Sequence, residues 1–198
     1  MDANSLEIIN SAAYLFDRYG ARKTTMEDIA REVGKGKSTL YYYFKNKEEV
    51  FESVLRYEFD TLKSQISNVL SELNDDLLLM QMFVKQVFSQ MHQFKNLKKS
   101  LLNEIDGKSK ASAIKIRDQF TEWELSNINK ILLQGIKSGV FRNMTNQELI
   151  INGQAISIAM MGLKAILINE TDEKETNQKI DNLLSLLFNG IINSNDPK

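Results

Sequence analysis

The 198-residue chain contains no cysteine, one proline, one histidine and one tryptophan. Without cysteine there is no disulfide, no thiolate metal site and no thiol nucleophile, and such a composition fits a reducing compartment. His92 has no second histidine with which to build a histidine-based metal site, and a nucleophile with its base cannot be assembled with any specificity from one histidine. No metal, cofactor or catalytic residue is therefore expected. The single proline, Pro197, lies in the tail, and nine glycines are few enough for long helices to run almost anywhere. Charge of one sign is also lacking: 25 basic residues against 26 acidic leave a net of −1, whereas a nonspecific nucleic-acid coat would be basic throughout. No secretory leader is evident, because Met1 to Ser5 is polar and the apolar residues after it are periodic rather than continuous. The expectation is a cytoplasmic protein whose 42% hydrophobic content can bury a full core.

What the chain does have is concentrated between residues 25 and 47. Met26, Ile29, Ala30 and Val33 make one apolar face of a short helix, with Thr24 or Thr25 as its cap and Glu27 or Asp28 three residues on. Gly34 ends that helix. Ser38 is the expected N-cap of a second, in which Leu40 and Phe44 point inward while Tyr42 and Tyr43 face out. Lys35, Lys37, Lys45 and Lys47 surround these tyrosines, and residues 18 to 47 hold eight basic groups against three acidic ones, a net of +5. A helix-turn-helix with a lysine- and hydroxyl-rich outer face suits phosphate contact and insertion in a DNA major groove. A solvated lysine loop is the alternative reading of the same charges.

Enzymatic motifs fail at specific positions. Gly36-Lys37-Ser38 imitates the end of a phosphate-binding loop, but Arg31 stands where that loop needs glycine and a helical pattern precedes it. A di-iron bundle needs two Glu-x-x-His pairs, and position 89 is Ser. Two rival classes stay open: a helical interaction module without DNA binding, and a small ligand-binding or catalytic bundle.

Thr25, Ile29-Ala30, Gly34 and the run Ser38-Thr39-Leu40-Tyr41-Tyr42-Tyr43-Phe44-Lys45-Asn46-Lys47 resemble the DNA-binding domain of the TetR family of bacterial transcriptional regulators. The likeness is dense over about the first 55 residues. It implies an all-α homodimer with a ligand-binding C-terminal domain and repression of a palindromic operator, relieved by a small molecule. By position, Thr25 and Lys47 would hold phosphates at helix starts. Lys37, Ser38, Thr39, Tyr41 and Tyr42 would face bases or backbone, with Lys35 beside them. Tyr43 stands where many members have histidine and can still donate to a phosphate. Lys35 and Gly36 replace a small apolar residue and a polar one.

The expected architecture is all-α, about nine helices, with a helix-turn-helix domain at 1–47 and a ligand-binding and dimerisation domain at 48–198. Leu6 to Tyr19 keeps helical spacing. Asn46 with Glu49 starts a long helix with a stripe from Phe51 through Glu58/Phe59 to Leu73, the expected mechanical link to the reading head. Asn74-Asp75-Asp76 caps a helix from Leu77 to about Phe94; Lys95 to Lys110 reads as looser; Ser109 to Ser138 is helical. Thr145 and Glu148 form a capping box for Asn146 to Asn169, which is apolar nearly all round, and a last helix runs from about Asp172 to Ile192. Asn152, Gln154, Ser157 and Lys164 argue against a membrane span at 150–168. Two such helices argue for a two-fold interface, with Ile151, Ile158, Ile166, Leu183, Leu187 and Ile191 on it and Gly153, Ser157, Ala159 and Gly162 permitting close approach. Phe83, Phe88, Met91, Phe120, Trp123, Met160 and Met161 are the candidate lining of a pocket for an apolar or aromatic effector, against the alternative that they are core.

Overall fold

A computed structural model describes residues 2–91, 93–101, 104–105, 107–167, 173–189 and 191. The described residues form nine α-helices and no β-strand: α1 (Ala3–Tyr19), α2 (Met26–Val33), α3 (Lys37–Tyr43), α4 (Lys47–Leu70), α5 (Asp76–Met91), α6 (Lys95–Leu101), α7 (Lys110–Ser138), α8 (Asn146–Leu167) and α9 (Glu173–Asn189), with a 3-10 turn at Gly107–Ser109. The expected helix ends at Asn169, Asp172 and Ile192, and His92, fall outside the described residues.

The chain divides into two compact units, 1–64 with 91–119 and 65–90 with 120–198. The first therefore includes the start of α4, α6 and the start of α7 along with the helix-turn-helix, rather than stopping at Lys47. Its core is apolar, with Ile8, Ile9, Phe16, Ile29, Leu40, Phe51 and Leu55 all buried. Phe16 and Phe51 meet edge to face, ring centroids 5.2 Å apart, a favoured geometry for aromatic pairs. Thr25 caps α2 in a reciprocal box with Asp28, and Asn46 Oδ1 accepts from the Glu49 backbone N–H at 2.8 Å at the start of α4. Each satisfies a donor that a helix start leaves open. Gly34 closes α2 at φ +69°, a left-handed conformation that side chains with a Cβ seldom adopt.

The segment expected to be loose contains α6, and polar side chains of other helices explain it. Glu58 of α4 accepts from the Leu97 backbone N–H at 2.6 Å and from Asn96 Nδ2 at 2.9 Å. Asn96 Nδ2 also reaches the Ala13 carbonyl at 3.0 Å, and Lys99 Nζ donates to Asp17 Oδ1 at 2.9 Å. A seven-residue helix is too short to persist alone, so these tertiary bonds, invisible to periodicity, determine it.

In the second unit α8 has two apolar faces of different kinds. Gly153, Ile156, Ser157, Met160 and Lys164 are buried, while Ile150, Ile151, Ile158, Met161 and Ile166 are exposed. Lys164 pairs with Glu124 of α7; their side chains are 8% and 3% exposed. Ser157 Oγ donates to the same carboxylate at 3.3 Å. Residues 146–166 are long and apolar enough to cross a membrane, but the inward lysine already has its partner on α7. Two of the small residues expected at a dimer contact instead face inward. A Cβ on Gly153 would lie 2.0 Å from Asn129 Oδ1, and Ser157 is committed to Glu124, whereas Gly162 has open space around it.

Candidate nucleic-acid interface

Helix α3 begins two residues earlier than expected. Gly36 is its N-cap, in an extended conformation and with no side-chain bond; its carbonyl accepts from the Thr39 and Leu40 N–H groups at 3.0 and 3.3 Å. Ser38 is therefore inside the first turn rather than capping it, and its hydroxyl is exposed. Leu40 and Phe44 are buried, anchoring the helix. Tyr41 is half exposed and Tyr42 is 82% exposed; Thr39 and Tyr43 are intermediate. Tyr42 and Tyr43 rings meet edge to face at 5.0 Å and 88°. One side of α3 is thus fixed in the core, and the other presents hydroxyls and a large aromatic to solvent.

Three of the cations around it, Lys35, Lys37 and Lys47, are partnered, which sequence reading did not show. Lys37 is paired with Glu27 of α2, and that contact holds the Glu27 carboxyl below its usual range. Lys35 Nζ lies 2.8 Å from Glu7 and donates to Asn4 Oδ1 at 3.1 Å, both on α1. Lys47 Nζ donates to the Arg22 carbonyl at 3.2 Å, tying the start of α4 to the α1–α2 turn. Thr25 Oγ1 donates to Asp28 Oδ2 at 2.7 Å, and the hydrogen bonds from Thr25 keep the Asp28 carboxyl low. The only sequence signal for the α1 partners is that Asn4 and Glu7, three apart, share one helix face.

Of the proposed pocket residues, Phe83, Phe120 and Trp123 come together: ring centroids of Phe83 and Phe120 lie 5.6 and 5.5 Å from Trp123. Lys164 Nζ sits 4.9 Å from the Phe120 ring centroid. Burial pushes the Lys164 ammonium below its ordinary range, with Glu124 opposing the shift. Phe88 and Met160 are buried, and Met91 is buried in the first unit rather than the second. Met161 is 63% exposed; the helical turn that buries Met160 places it on the outer face, so it does not line an interior pocket. A cleft of about 510 Å³ in the second unit runs instead along α7, lined by Ser126, Asn129, Lys130, Leu133, Gln134 and Lys137.

Of the proposed interface residues, Ile151, Ile158 and Ile166 are exposed and Leu183 and Leu187 half-buried. Ile191 is buried, and its carbonyl accepts from the Arg142 N–H at 2.9 Å. It belongs to the interior of the subunit, not to an outer face.

Residues 8–54 match the family described as bacterial regulatory proteins, tetR family. The chain is 25% identical over 138 residues to the uncharacterised helix-turn-helix transcriptional regulator YhgD of Bacillus subtilis, covering 68% of this chain and 70% of that one. It is 38% identical over 60 residues to IcaR of Staphylococcus aureus, the negative transcriptional regulator of the biofilm operon icaADBC, covering 30% of this chain and 32% of that protein. Among solved structures, a transcriptional regulator from Cytophaga hutchinsonii superposes with a TM-score of 0.77 at 25% identity, covering 97% of this chain and 100% of that one. FadR from Bacillus subtilis, in complex with stearoyl-CoA, gives 0.72 at 20% identity over 94% and 98% of the two chains. AibR, in complex with isovaleryl coenzyme A and operator DNA, gives 0.63 at 16% over 93% and 98%. Residues 8–54 thus carry the capped helix-turn-helix of the TetR family of bacterial regulatory proteins, on an all-helical body with the same fold as these regulators.

Proposed function

We propose that the chain is a cytoplasmic, ligand-responsive repressor that binds a palindromic operator as a homodimer and is released by a small, apolar or aromatic effector. The observation that carries this reading is α3, whose Leu40 is buried while Tyr41, Tyr42, Ser38 and Lys37 are exposed. Exposed aromatics and hydroxyls on a short helix held by its opposite face are suited to base edges and phosphates in a major groove. Repression is supported by the likeness of the reading segment to a negative regulator. Dimerisation is supported by the outward isoleucines of α8, a contiguous apolar face of the kind that marks an association surface.

Two subunits related by a two-fold axis would place their reading helices about 34 Å apart, or a multiple of that, to meet successive grooves on one side of the duplex. An effector that empties the operator must favour the unbound conformation by about 5.5 kcal/mol to reverse a 99:1 occupancy. The aromatic group of Phe83, Phe120 and Trp123 supports an apolar or flat ligand. The fold neighbours holding stearoyl-CoA and isovaleryl coenzyme A make acyl-CoA thioesters the first compounds to try. A second reading, a module that only associates with other proteins, draws on the same α8 face and is separated by one assay. Lys37→Ala and Tyr42→Ala are each expected to weaken binding to a selected duplex by about 1–3 kcal/mol with helicity and subunit association unchanged. Unaltered affinity would remove both residues from the interface.

A further inference from the structure

Lys35 lies among the lysines of the reading segment, yet its ammonium turns back toward α1. Its side chain is only 22% exposed, and Nζ is 2.8 Å from Glu7 Oε2 and 3.1 Å from Asn4 Oδ1. Asn4 Nδ2 in turn donates to the Tyr43 hydroxyl oxygen at 3.1 Å. We propose that Lys35 and Asn4 are positioning residues, a polarity relay that presents the Tyr43 phenol as a hydrogen-bond donor to a DNA phosphate. The proposal rests on the DNA-binding reading above and specifies how one of its contacts is prepared.

The direction of the relay follows from the donor and acceptor inventory. An ammonium has three donors and no acceptor, so it turns the oxygen of the Asn4 amide toward itself and leaves the amide N–H₂ to face Tyr43. A phenol that receives an N–H at its oxygen directs its own proton elsewhere, and among the described residues no group accepts that proton. The edge-on Tyr42 ring at 5.0 Å restrains the Tyr43 ring. Phosphate oxygens only accept, so a phenol fixed as donor is matched to the backbone of a duplex, and a phenol already donating within the protein is not. Glu7 offsets the charge of Lys35, which separates this lysine from Lys37: Lys35 acts through Asn4, whereas Lys37 lies at the exposed start of α3.

The test is a double-mutant cycle on the duplex that wild-type protein enriches from a random library, read by fluorescence anisotropy. Tyr43→Phe is expected to lower affinity about tenfold, the value of a hydrogen bond to a charged group. Asn4→Asp replaces the amide donor with an acceptor that captures the phenol proton. Its added negative charge weakens binding whether or not the phenol is present, but the relay makes it cost about tenfold more with Tyr43 intact than in the Tyr43→Phe background. A neutral methylphosphonate scanned along the duplex is expected to weaken wild type at one position per half-site where Tyr43→Phe is insensitive, a signature that a structural role for Asn4 does not produce. Additive effects of Asn4→Asp and Tyr43→Phe, or wild-type affinity in Tyr43→Phe, overturn the relay while leaving the DNA reading intact. Failure of wild type to enrich any duplex overturns that reading and the relay with it.

Discussion

At the scale of single residues, the group furthest from its preferred surroundings in the first unit is Glu58. Burial pushes its carboxyl above the ordinary 4.5, and the hydrogen bonds from Asn96 and Leu97 only partly offset this. A folded-state value above the unfolded one means that the folded chain binds more protons in the window between the two. Stability from this group is therefore whole below about 4.5 and is lost as pH rises through the raised value. Asp17 nearby has the opposite sign: burial raises its carboxyl, but Lys99 and Lys95 outweigh that and bring it below 3.8, so its contribution is lost only as pH falls through the depressed value. Wild type is expected to lose stability relative to Glu58→Gln, which does not titrate, as pH is raised from 4.5 toward neutral. Urea titrations at several pH values check this, and a constant difference between the two proteins would contradict it. Nothing in the sequence marks Glu58 as buried except its place on the apolar stripe of α4, because its two partners lie 38 and 39 residues away.

At the scale of elements, α7 and α8 are held by the Lys164–Glu124 ion pair and by close packing at Gly153, while Gly135 of α7 packs against Phe141 in the connection between them. Removing Lys164 alone, as in Lys164→Met, leaves Glu124 charged and buried, and is expected to cost about 3–5 kcal/mol. Removing both charges, with Glu124→Leu added, is expected to return stability close to wild type or above it, since apolar packing can replace a buried pair. Urea denaturation of the single and double variants decides, and a double variant no better than the single would contradict this reading of the pair. At Gly135 a Cβ would lie 2.2 Å from the ring of Phe141, which is itself buried. At Gly153 it would meet Asn129 Oδ1, the end of a side chain whose oxygen has no hydrogen-bond partner. Gly135→Ala is thus expected to cost about 1–3 kcal/mol by overpacking and Gly153→Ala less, as Asn129 can turn aside; thermal melts reversing that order would count against it. The helical stripes of α1 and α4 were legible in the chain because spacing alone records a buried face. The inner side of α8 was not, because a helix apolar all round carries no phase, and its inner face is marked only by partners met after folding, Glu124 for Lys164 and Ser157, and Asn129 beside Gly153. For the same reason Met160 and Met161 could not be told apart, and Ile191 was placed on the wrong side.

At the scale of the whole molecule, the proposed operator recognition needs two copies and one duplex. Ile151 and Ile158 are exposed in the isolated subunit, so Ile151→Glu or Ile158→Glu leaves the subunit's own packing intact and is expected to yield folded monomers by sedimentation. A variant that stays dimeric would remove α8 from the interface. The reading segment was the most legible part of the chain because caps, a glycine break and an aromatic run are local signals. What remained hidden were the partners that hold its lysines, since Asn4, Glu7 and Glu27 meet them only after folding. The central claim, that α3 reads DNA, is tested most directly by titrating salt against binding to a duplex enriched from a random library, with unrelated duplex as the comparison. Affinity is expected to fall linearly on a log–log scale, by about 0.9 per phosphate neutralised, with the enriched duplex bound roughly a thousandfold more tightly than the unrelated one. Equal, weak binding to both duplexes at every salt concentration would contradict it.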